Sequence, residues 1–280
     1  MKPSGSWLLL SAAAVLFSTG GAAIKATALT SWQVASFRSG IAAAVLLLLL
    51  PQARRLGHPG VWLAAPAYAA TVILFVAANK LTTAANSIFL QSTAPLYLLL
   101  AGPWLLKEPV RRSDLALLAV AAAGLSMFFL GTERAAATAP DPARGNIVAL
   151  VSGLTWALTI AGLRWHARRA TQDFSLAMVA AGNLIAFGVT LPLALPAAPE
   201  SRDVAVLAFL GVFQIGLAYV CLSRGMRHAT ALETSLLLLL EPVLNPIWAW
   251  LIHHEKPGGW ALAGGGLILA ATTVRGLLRR

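Results

Sequence analysis

Ten apolar runs follow one another along this sequence, and each is about as long as a helix that crosses a bilayer. Roughly 20 mostly apolar residues span the hydrocarbon core as an α-helix. Charged residues make up only 11% of the chain, whereas a soluble domain carries about 25%, so too few remain for a water-facing surface. We predict an all-α polytopic membrane protein with ten transmembrane helices. They cover residues 6–24, 34–50, 61–78, 84–106, 113–130, 145–163, 175–195, 204–223, 231–252 and 258–276.

The segments between the runs are too short to fold on their own. The longest covers residues 131–144 and is rich in Ala and Pro, and no segment is long enough to bury a hydrophobic core of its own. We therefore expect any function to reside in the helix bundle.

The first run allows a second interpretation. Lys2, the apolar stretch after it and the small residues around Gly20 resemble a secretory signal peptide with a cleavage site. We favour a retained first span, because its pattern recurs in the sixth run and a cleaved copy would break that symmetry.

The net charge of +11 is unevenly distributed along the chain. If the N-terminus is cytoplasmic and ten spans alternate, two thirds of the 21 Lys and Arg residues lie on the cytoplasmic side, as the positive-inside rule requires. Arg38 belongs to the remaining third of the Lys and Arg residues, which lie on the other side of the membrane in this topology. We predict cytoplasmic N- and C-termini, and we expect the excess charge to contact membrane lipids rather than nucleic acid.

An internal repeat relates the two halves of the sequence. An offset of 147 positions superposes runs four and five on runs nine and ten without a gap. The matched pairs include Thr83 and Thr230, Pro95 and Pro242, and Glu108 and Glu255. Matches of Ala or Leu carry little weight in such a sequence, but the shared spacing from Pro to Glu is harder to obtain by chance.

A second offset, of 139 positions, pairs run one with run six. It superposes Phe17 on Trp156 and Lys25 on Arg164. The chain therefore divides into a first five-helix repeat over residues 1–131, a linker over 132–144 and a second repeat over 145–280. Because five is an odd number, the second copy must cross the membrane in the opposite sense, as the inverted repeats of many secondary transporters do.

These five-helix units resemble the EamA-type units of the drug/metabolite transporter superfamily. In such units the penultimate helix runs from small residues through a mid-helix proline to an acidic residue, as residues 84–110 and 231–257 do here. The aromatic residues Phe17 and Trp156 also fit, and the resemblance covers residues 5–130 and 145–277. The first repeat departs from the second at Ala94, where the second has Glu241, so the two halves are not chemically equivalent.

The resemblance implies ten helices around a central cavity and the export of small metabolites such as amino acids. Within the superfamily the sequence is most similar to bacterial exporters of aromatic and other neutral amino acids. This similarity implies a transporter in the bacterial inner membrane whose partners are a small-molecule substrate and lipids.

Pro95 and Pro242 lie near the midplane of their predicted spans. Proline removes one backbone donor and crowds the carbonyl four residues earlier, here that of Gln91 or Leu238. Such breaks are tolerated in a membrane only where they face protein or a wet cavity. We interpret both prolines as hinges that shape and gate a central site, and the alternative is a pair of static kinks.

Glu241 is the one carboxylate that lies well inside a predicted span. Such residues face the interior of a bundle, because a charge at the bilayer centre is costly. Glu241 is a candidate to bind a substrate ammonium group or to carry a proton. Alternatively, it is a neutral acid that bonds to backbone opened by Pro242. Asn245, one turn along the helix, shares its face.

Further polar and aromatic residues complete the predicted substrate site. In the first repeat Asn86, Gln91 and Tyr97 either bind the backbone of an amino-acid substrate or pair across helices. Phe17 and Trp156 are candidates to line a cavity for apolar side chains, and Gln214 is a further polar candidate.

The sequence points to no cofactor or metal and leaves other functions open. It contains no phosphate-binding loop for ATP, one cysteine, Cys221, and histidines only at run ends. An uptake carrier or facilitator of another metabolite class is the main alternative. A membrane-embedded enzyme would need several convergent titratable residues, and a channel would need polar rings along a pore. Gly-rich stretches such as residues 264–266 predict close helix packing in a monomer or a homodimer.

Overall fold

The described part of the chain is built from helices. The structure is a computed structural model that describes residues 3–94, 96–98, 112–130, 135–167, 174–226 and 237–278. One isolated bridge pairs Ala136 with Ala139, and no β-strand occurs in these residues. The helices are α1 Pro3–Ser18, α2 Gly20–Lys25, α3 Ser31–Leu49, α4 Pro59–Leu81, α5 Ala84–Gln91, α6 Arg112–Leu130, α7 Pro142–Ala167, α8 Ser175–Ala194, α9 Ser201–Phe209, α10 Ala218–Met226, α11 Leu240–His253 and α12 Gly259–Leu278. A π-helical segment, Leu210–Leu217, joins α9 to α10.

Six of these helical stretches are long and apolar enough to cross a membrane, and they correspond to predicted spans one, two, three, six, seven and eight. They are Gly5–Lys25, Ser31–Leu49, Pro59–Leu81, Pro142–Gly162, Ser175–Ala194 and Ser201–Gly225. A shorter apolar stretch, Gly259–Ala271, lies in predicted span ten. The all-helical membrane fold is thus confirmed for the described residues. Spans four and nine include residues outside the described part of the chain, so the total of ten stays a prediction.

Local side-chain bonds explain where several helices begin. Thr30 accepts a hydrogen bond from the backbone of Gln33 at 3.3 Å, and the side chain of Gln33 accepts one from the Thr30 backbone at 3.0 Å. This capping box satisfies two donors at the start of α3. Thr83 caps α5 in the same way, through a bond of 3.2 Å from the Asn86 backbone to its hydroxyl.

Predicted spans four and nine are interrupted at equivalent positions. Helix α5 ends at Gln91, and Ser92 follows with φ −65° and ψ −2°. In span nine Leu239 has φ −65° and ψ −13°, and α11 begins at the next residue. The offset of 147 superposes Ser92 on Leu239. Each interruption directly follows the carbonyl that the proline of its span would crowd; Pro95 itself lies outside the described residues.

Contacts between helices are arranged in the same way in both halves. Helix α4 of the first repeat packs against α7 of the second repeat. The equivalent contact with the repeats exchanged is the one between α10 and α1. Likewise α5 packs on α7 and α11 on α1, while α4 packs on α8 and the π-helical segment on α3. The pairs α3 with α8, α6 with α12 and α5 with α11 are their own counterparts. These contacts are thus related in pairs when the two repeats are exchanged, as a twofold relation requires.

Helices α6 and α12 approach each other most closely at two glycines. A Cβ atom on Gly264 would lie 2.5 Å from the carbonyl oxygen of Gly124, and one on Gly124 would lie 2.8 Å from that of Gly264. A Cβ on Gly265 would meet the ring of Phe89 at 2.6 Å, whereas one on Gly266 would meet nothing within 4 Å. Small residues therefore let the two repeats touch backbone to backbone.

We predict that Gly264→Val destabilises the protein by about 1–3 kcal/mol, because the added side chain overpacks this contact. Thermal unfolding in detergent should show a lower midpoint. Gly266→Val is the matched control, since the same side chain two residues further along the helix points into open space, and its midpoint should stay near that of the wild type. Equal midpoints for the two variants would contradict the assigned packing.

Candidate functional site

A cavity of about 140 Å³ lies between helices from both repeats. Measured in this way, a water molecule needs roughly 10–15 Å³, so the space holds several waters or a small organic molecule. The lining residues are Phe17, Arg38, Tyr68, Thr71, Val72, Phe75, Ile88, Gln91, Ser92, Trp156, Gln214, Ile215, Tyr219, Leu222, Leu238 and Glu241.

The structure brings five of the eight predicted substrate-binding residues to this cavity. They come from five separate segments of the chain, and they are Phe17, Gln91, Trp156, Gln214 and Glu241. The cavity is also lined by Ser92, at the first helix interruption, and by Leu238, directly before the second. The irregular backbone thus lies next to a cavity, where hydrocarbon is not its only surrounding.

Several of the lining side chains are held in place by neighbours. Gln91 donates from Nε2 to Ser152 Oγ at 2.7 Å. The ring of Phe17 packs edge-on against Tyr219 with centroids 5.0 Å apart, and Tyr219 packs edge-on against Tyr68 at 5.8 Å. Tyr68 in turn accepts a bond of 3.2 Å from Asn183 Nδ2. This chain of aromatic rings forms a wall that is mostly apolar but carries hydroxyl groups.

Gln214 reaches the cavity from the π-helical segment. A π-helical turn shifts the register of the side chains that follow it and occurs frequently at functional sites. Gln214 is buried, and its side-chain oxygen has no hydrogen-bond partner among the described residues. The side chain therefore brings a free acceptor to the cavity wall.

Asn86, Tyr97 and Asn245 lie away from this cavity. Asn86 donates from Nδ2 to Asn146 Oδ1 at 3.1 Å, which is the cross-helix pairing that the sequence left open. Tyr97 donates to the carbonyl of Leu150 at 3.3 Å. Asn245 is fully buried and packs against Gly21. A Cβ atom added to Gly21 would lie 2.7 Å from Asn245 Oδ1.

Of the two predicted hinge prolines, Pro242 lies within the described residues and Pro95 does not. Pro242 is buried in the first turn of α11, where a missing N–H leaves no intrahelical bond unmade. Within the described residues of this span, Leu239 precedes α11, and Pro242 lies in that helix's first turn.

Arg38 is a charged cavity residue that sequence reasoning missed. Its side chain is buried and donates from Nη2 to the carbonyl of Val72 at 3.3 Å. The predicted second span began at residue 34, which placed Arg38 near a membrane surface. Helix α3 begins at Ser31, so Arg38 lies two turns inside it. A charged residue at that depth is a functional candidate by itself, and the position of the Thr30 cap is the signal that would have revealed it.

A buried polar layer lies at one end of the bundle, which we call the Lys25 end. It consists of Lys25, Thr82, Ala84, Thr138 and Glu255. Lys25 Nζ lies 3.0 Å from Glu255 Oε2, with both side chains buried, and it donates to the carbonyls of Thr82, at 2.7 Å, and Thr138. Glu255 Oε1 accepts from the Ala84 backbone at 2.5 Å. The layer therefore ties together the first, third, fourth and ninth predicted spans.

Backbone geometry at the end of α11 positions Glu255. His254 has φ 54°, in the left-handed region, and the backbone N–H of Glu255 bonds back to the carbonyl of Ala249 at 3.3 Å. This arrangement is the usual way to close the last turn of a helix. It reverses the chain at once, so that Glu255 turns back toward Lys25 instead of continuing into solvent.

The sequence signature of the EamA-like transporter family matches residues 5–130 and 143–275. The chain belongs to the EamA-like transporter family. The match covers both halves of the chain and confirms the resemblance found in residues 84–110 and 231–257. It also makes the protein a multi-pass membrane transporter.

A solved structure supports the fold of this EamA-like protein. That crystal structure, described only as one of a protein, is 21% identical in sequence and superposes with a TM-score of 0.66. The superposition covers 98% of this chain and 97% of the other. Comparison with curated proteins finds no match.

We predict that Glu255→Gln lowers stability by about 3–5 kcal/mol, because it leaves the buried Lys25 ammonium without its counter-charge. Asp141→Asn is the matched control: it removes the acidic partner of Arg144, whose side chain is 81% exposed, and exposed pairs contribute about 0–1 kcal/mol. Thermal unfolding of both variants measures the difference. If Glu255→Gln melts no earlier than Asp141→Asn, the pair does not hold this end together.

Proposed function

We propose that this EamA-like protein is a secondary transporter that exports small metabolites, with neutral and aromatic amino acids as the substrate class. The observation that carries the proposal is a cavity walled by both repeats, with aromatic rings on its walls and two charged residues, Arg38 and Glu241, among its lining. A site of this kind is what two inverted halves need in order to bind one substrate alternately from each side.

The Lys25 end supplies the second element of alternating access, which is a closed face. A buried ion pair there joins the first and ninth predicted spans, and its lysine also bonds to the carbonyl of Thr82. In the proposed topology this end faces the periplasm, while the N- and C-termini lie on the cytoplasmic side of the bacterial inner membrane. The ion pair must break for the substrate to leave.

The repeat suggests a counterpart of this ion pair at the opposite end. The two offsets superpose Lys25 on Arg164 and Glu255 on Glu108. The side chains of Arg164 and Glu108 lie outside the described residues. We propose that they pair when the cytoplasmic face closes, so that one ion pair forms as the other opens.

Glu241 offers a way to couple transport to a proton gradient. Its carboxyl lines the cavity, and a carboxylate there can hold either a proton or a substrate ammonium group. Because the two compete for one group, a proton that enters from outside would displace substrate, and substrate that binds from inside would displace the proton. This exchange drives export without ATP.

Other functions find less support in the cavity. An uptake carrier or facilitator would use the same fold, and the direction of flux in the proposal comes from the resemblance to exporters. A membrane-embedded enzyme would need several titratable groups at one depth, whereas Glu241 is the one acidic residue among those that line the cavity.

We expect proteoliposomes that contain the protein to release labelled neutral or aromatic amino acids faster than empty liposomes do. Labelled nucleosides and sugar phosphates, tested side by side, should stay inside. An inward proton gradient should accelerate release by the wild type, and Glu241→Gln should reduce the rate to its value without a gradient. Asp141→Asn, which changes an exposed carboxylate outside the cavity, should keep the full response.

Two different failures are informative here. A Glu241→Gln variant that still responds to the gradient would remove Glu241 as the proton carrier and leave transport in place. Release of none of the labelled classes above the empty-liposome rate would contradict the proposed function itself.

A further inference from the structure

Arg38 is a buried cation whose charge the described residues do not balance. Only 2% of the residue is exposed, and its guanidinium lines the cavity. The ion pairs in the described part of the chain join Lys25 to Glu255 and Arg144 to Asp141, so neither involves Arg38. A charged residue at membrane depth is costly unless a partner compensates it.

Most hydrogen-bond donors of Arg38 remain unused. A guanidinium has five N–H donors in a planar fork. One of them, on Nη2, bonds to the Val72 carbonyl at 3.3 Å, while Nε and Nη1 have no partner in the residues that the structure describes. A buried arginine that lines a cavity and keeps these donors without a protein partner can donate them to an anion bound there.

The cavity that Arg38 lines also holds an acid and several aromatic rings. Tyr68 and Tyr219 both line it, and their rings pack edge-on with centroids 5.8 Å apart. Glu241 lines the same cavity, as do Phe17, Phe75 and Trp156. The cavity therefore presents a cation, an acid and aromatic rings to a bound molecule.

We propose that Arg38 binds the carboxylate of the transported substrate, while Glu241 binds its ammonium group. Arginine suits this role because its fork can donate two parallel bonds to the two oxygens of a carboxylate. Apolar side chains of the substrate then pack against the aromatic walls. This assignment rests on the proposed transport function and narrows it to substrates that carry a carboxylate, of which zwitterionic amino acids match both charges.

The test compares three compounds that differ in one group at a time. L-phenylalanine has both charges, L-phenylalaninamide lacks the carboxylate, and 3-phenylpropionate lacks the ammonium group. Binding of each to the purified protein is measured by titration calorimetry for the wild type, Arg38→Gln, Arg38→Lys and Arg144→Gln. Arg144 is an exposed arginine that does not line the cavity, and it serves as the charge-matched control.

We expect the wild type to bind L-phenylalanine about ten- to a hundredfold more tightly than the amide, which is the range for a hydrogen bond to a charged group. Arg38→Gln should abolish this preference and should leave binding of the amide unchanged. Arg38→Lys keeps the charge but loses the fork, so an intermediate preference is expected. Arg144→Gln should behave as the wild type does.

Each contrary result has a separate meaning. An Arg38→Gln variant that still prefers the acid over the amide would make Arg38 a structural residue. If Arg38→Gln does not fold, Arg38→Lys decides the matter: binding of the acid and the amide weakened by the same factor would overturn the assignment. Transport of a compound class that lacks a carboxylate would also overturn the assignment of Arg38, but it would be consistent with the proposed transport function. The absence of all transport would contradict both proposals.

Discussion

Hydrocarbon offers no hydrogen-bond partner to a backbone carbonyl, an amide or a charge, and the arrangement of this protein follows from that constraint. Two helices are interrupted at Ser92 and Leu239, and Ser92 and the neighbouring Leu238 line one shared cavity. The two cavity charges, Arg38 and Glu241, come from different repeats. Charged and polar groups that lipid cannot solvate thus lie in the cavity between the two halves or, as in the Lys25–Glu255 pair, bond to one another inside the protein.

The two halves are similar in packing but differ in chemistry. Exchange of the repeats relates the main contacts between helices in pairs. Glu241 has only Ala94 as its counterpart in the first repeat. In the proposed mechanism the symmetric scaffold opens toward either side of the membrane, while the asymmetric site gives the substrate one orientation. The buried Lys25–Glu255 pair is the contact proposed to close one face.

The sequence predicted much of the fold because bilayer thickness sets span length directly, and proline acts on its own helix. Six spans and the positions of the two interruptions follow from such local rules. The outcome at Asn86 could not be foreseen, since its partner Asn146 is 60 residues away and becomes a neighbour only when α5 and α7 pack. Glu241 stood out because it lies in mid-span. Arg38 did not, because its depth depends on a cap at Thr30 that extends the helix by one turn.

Labelling of a single cysteine in the cavity from each side of the membrane tests alternating access most directly. Ser92→Cys, in a protein whose native thiol is removed by Cys221→Ser, places a thiol at the cavity wall. The account predicts that a membrane-impermeant thiol reagent reaches this cysteine from either face of oriented vesicles. It further predicts that Glu255→Gln speeds labelling from the Lys25 end, and that Glu108→Gln speeds it from the opposite face. Labelling from one face alone, unchanged by either substitution, would contradict alternating access.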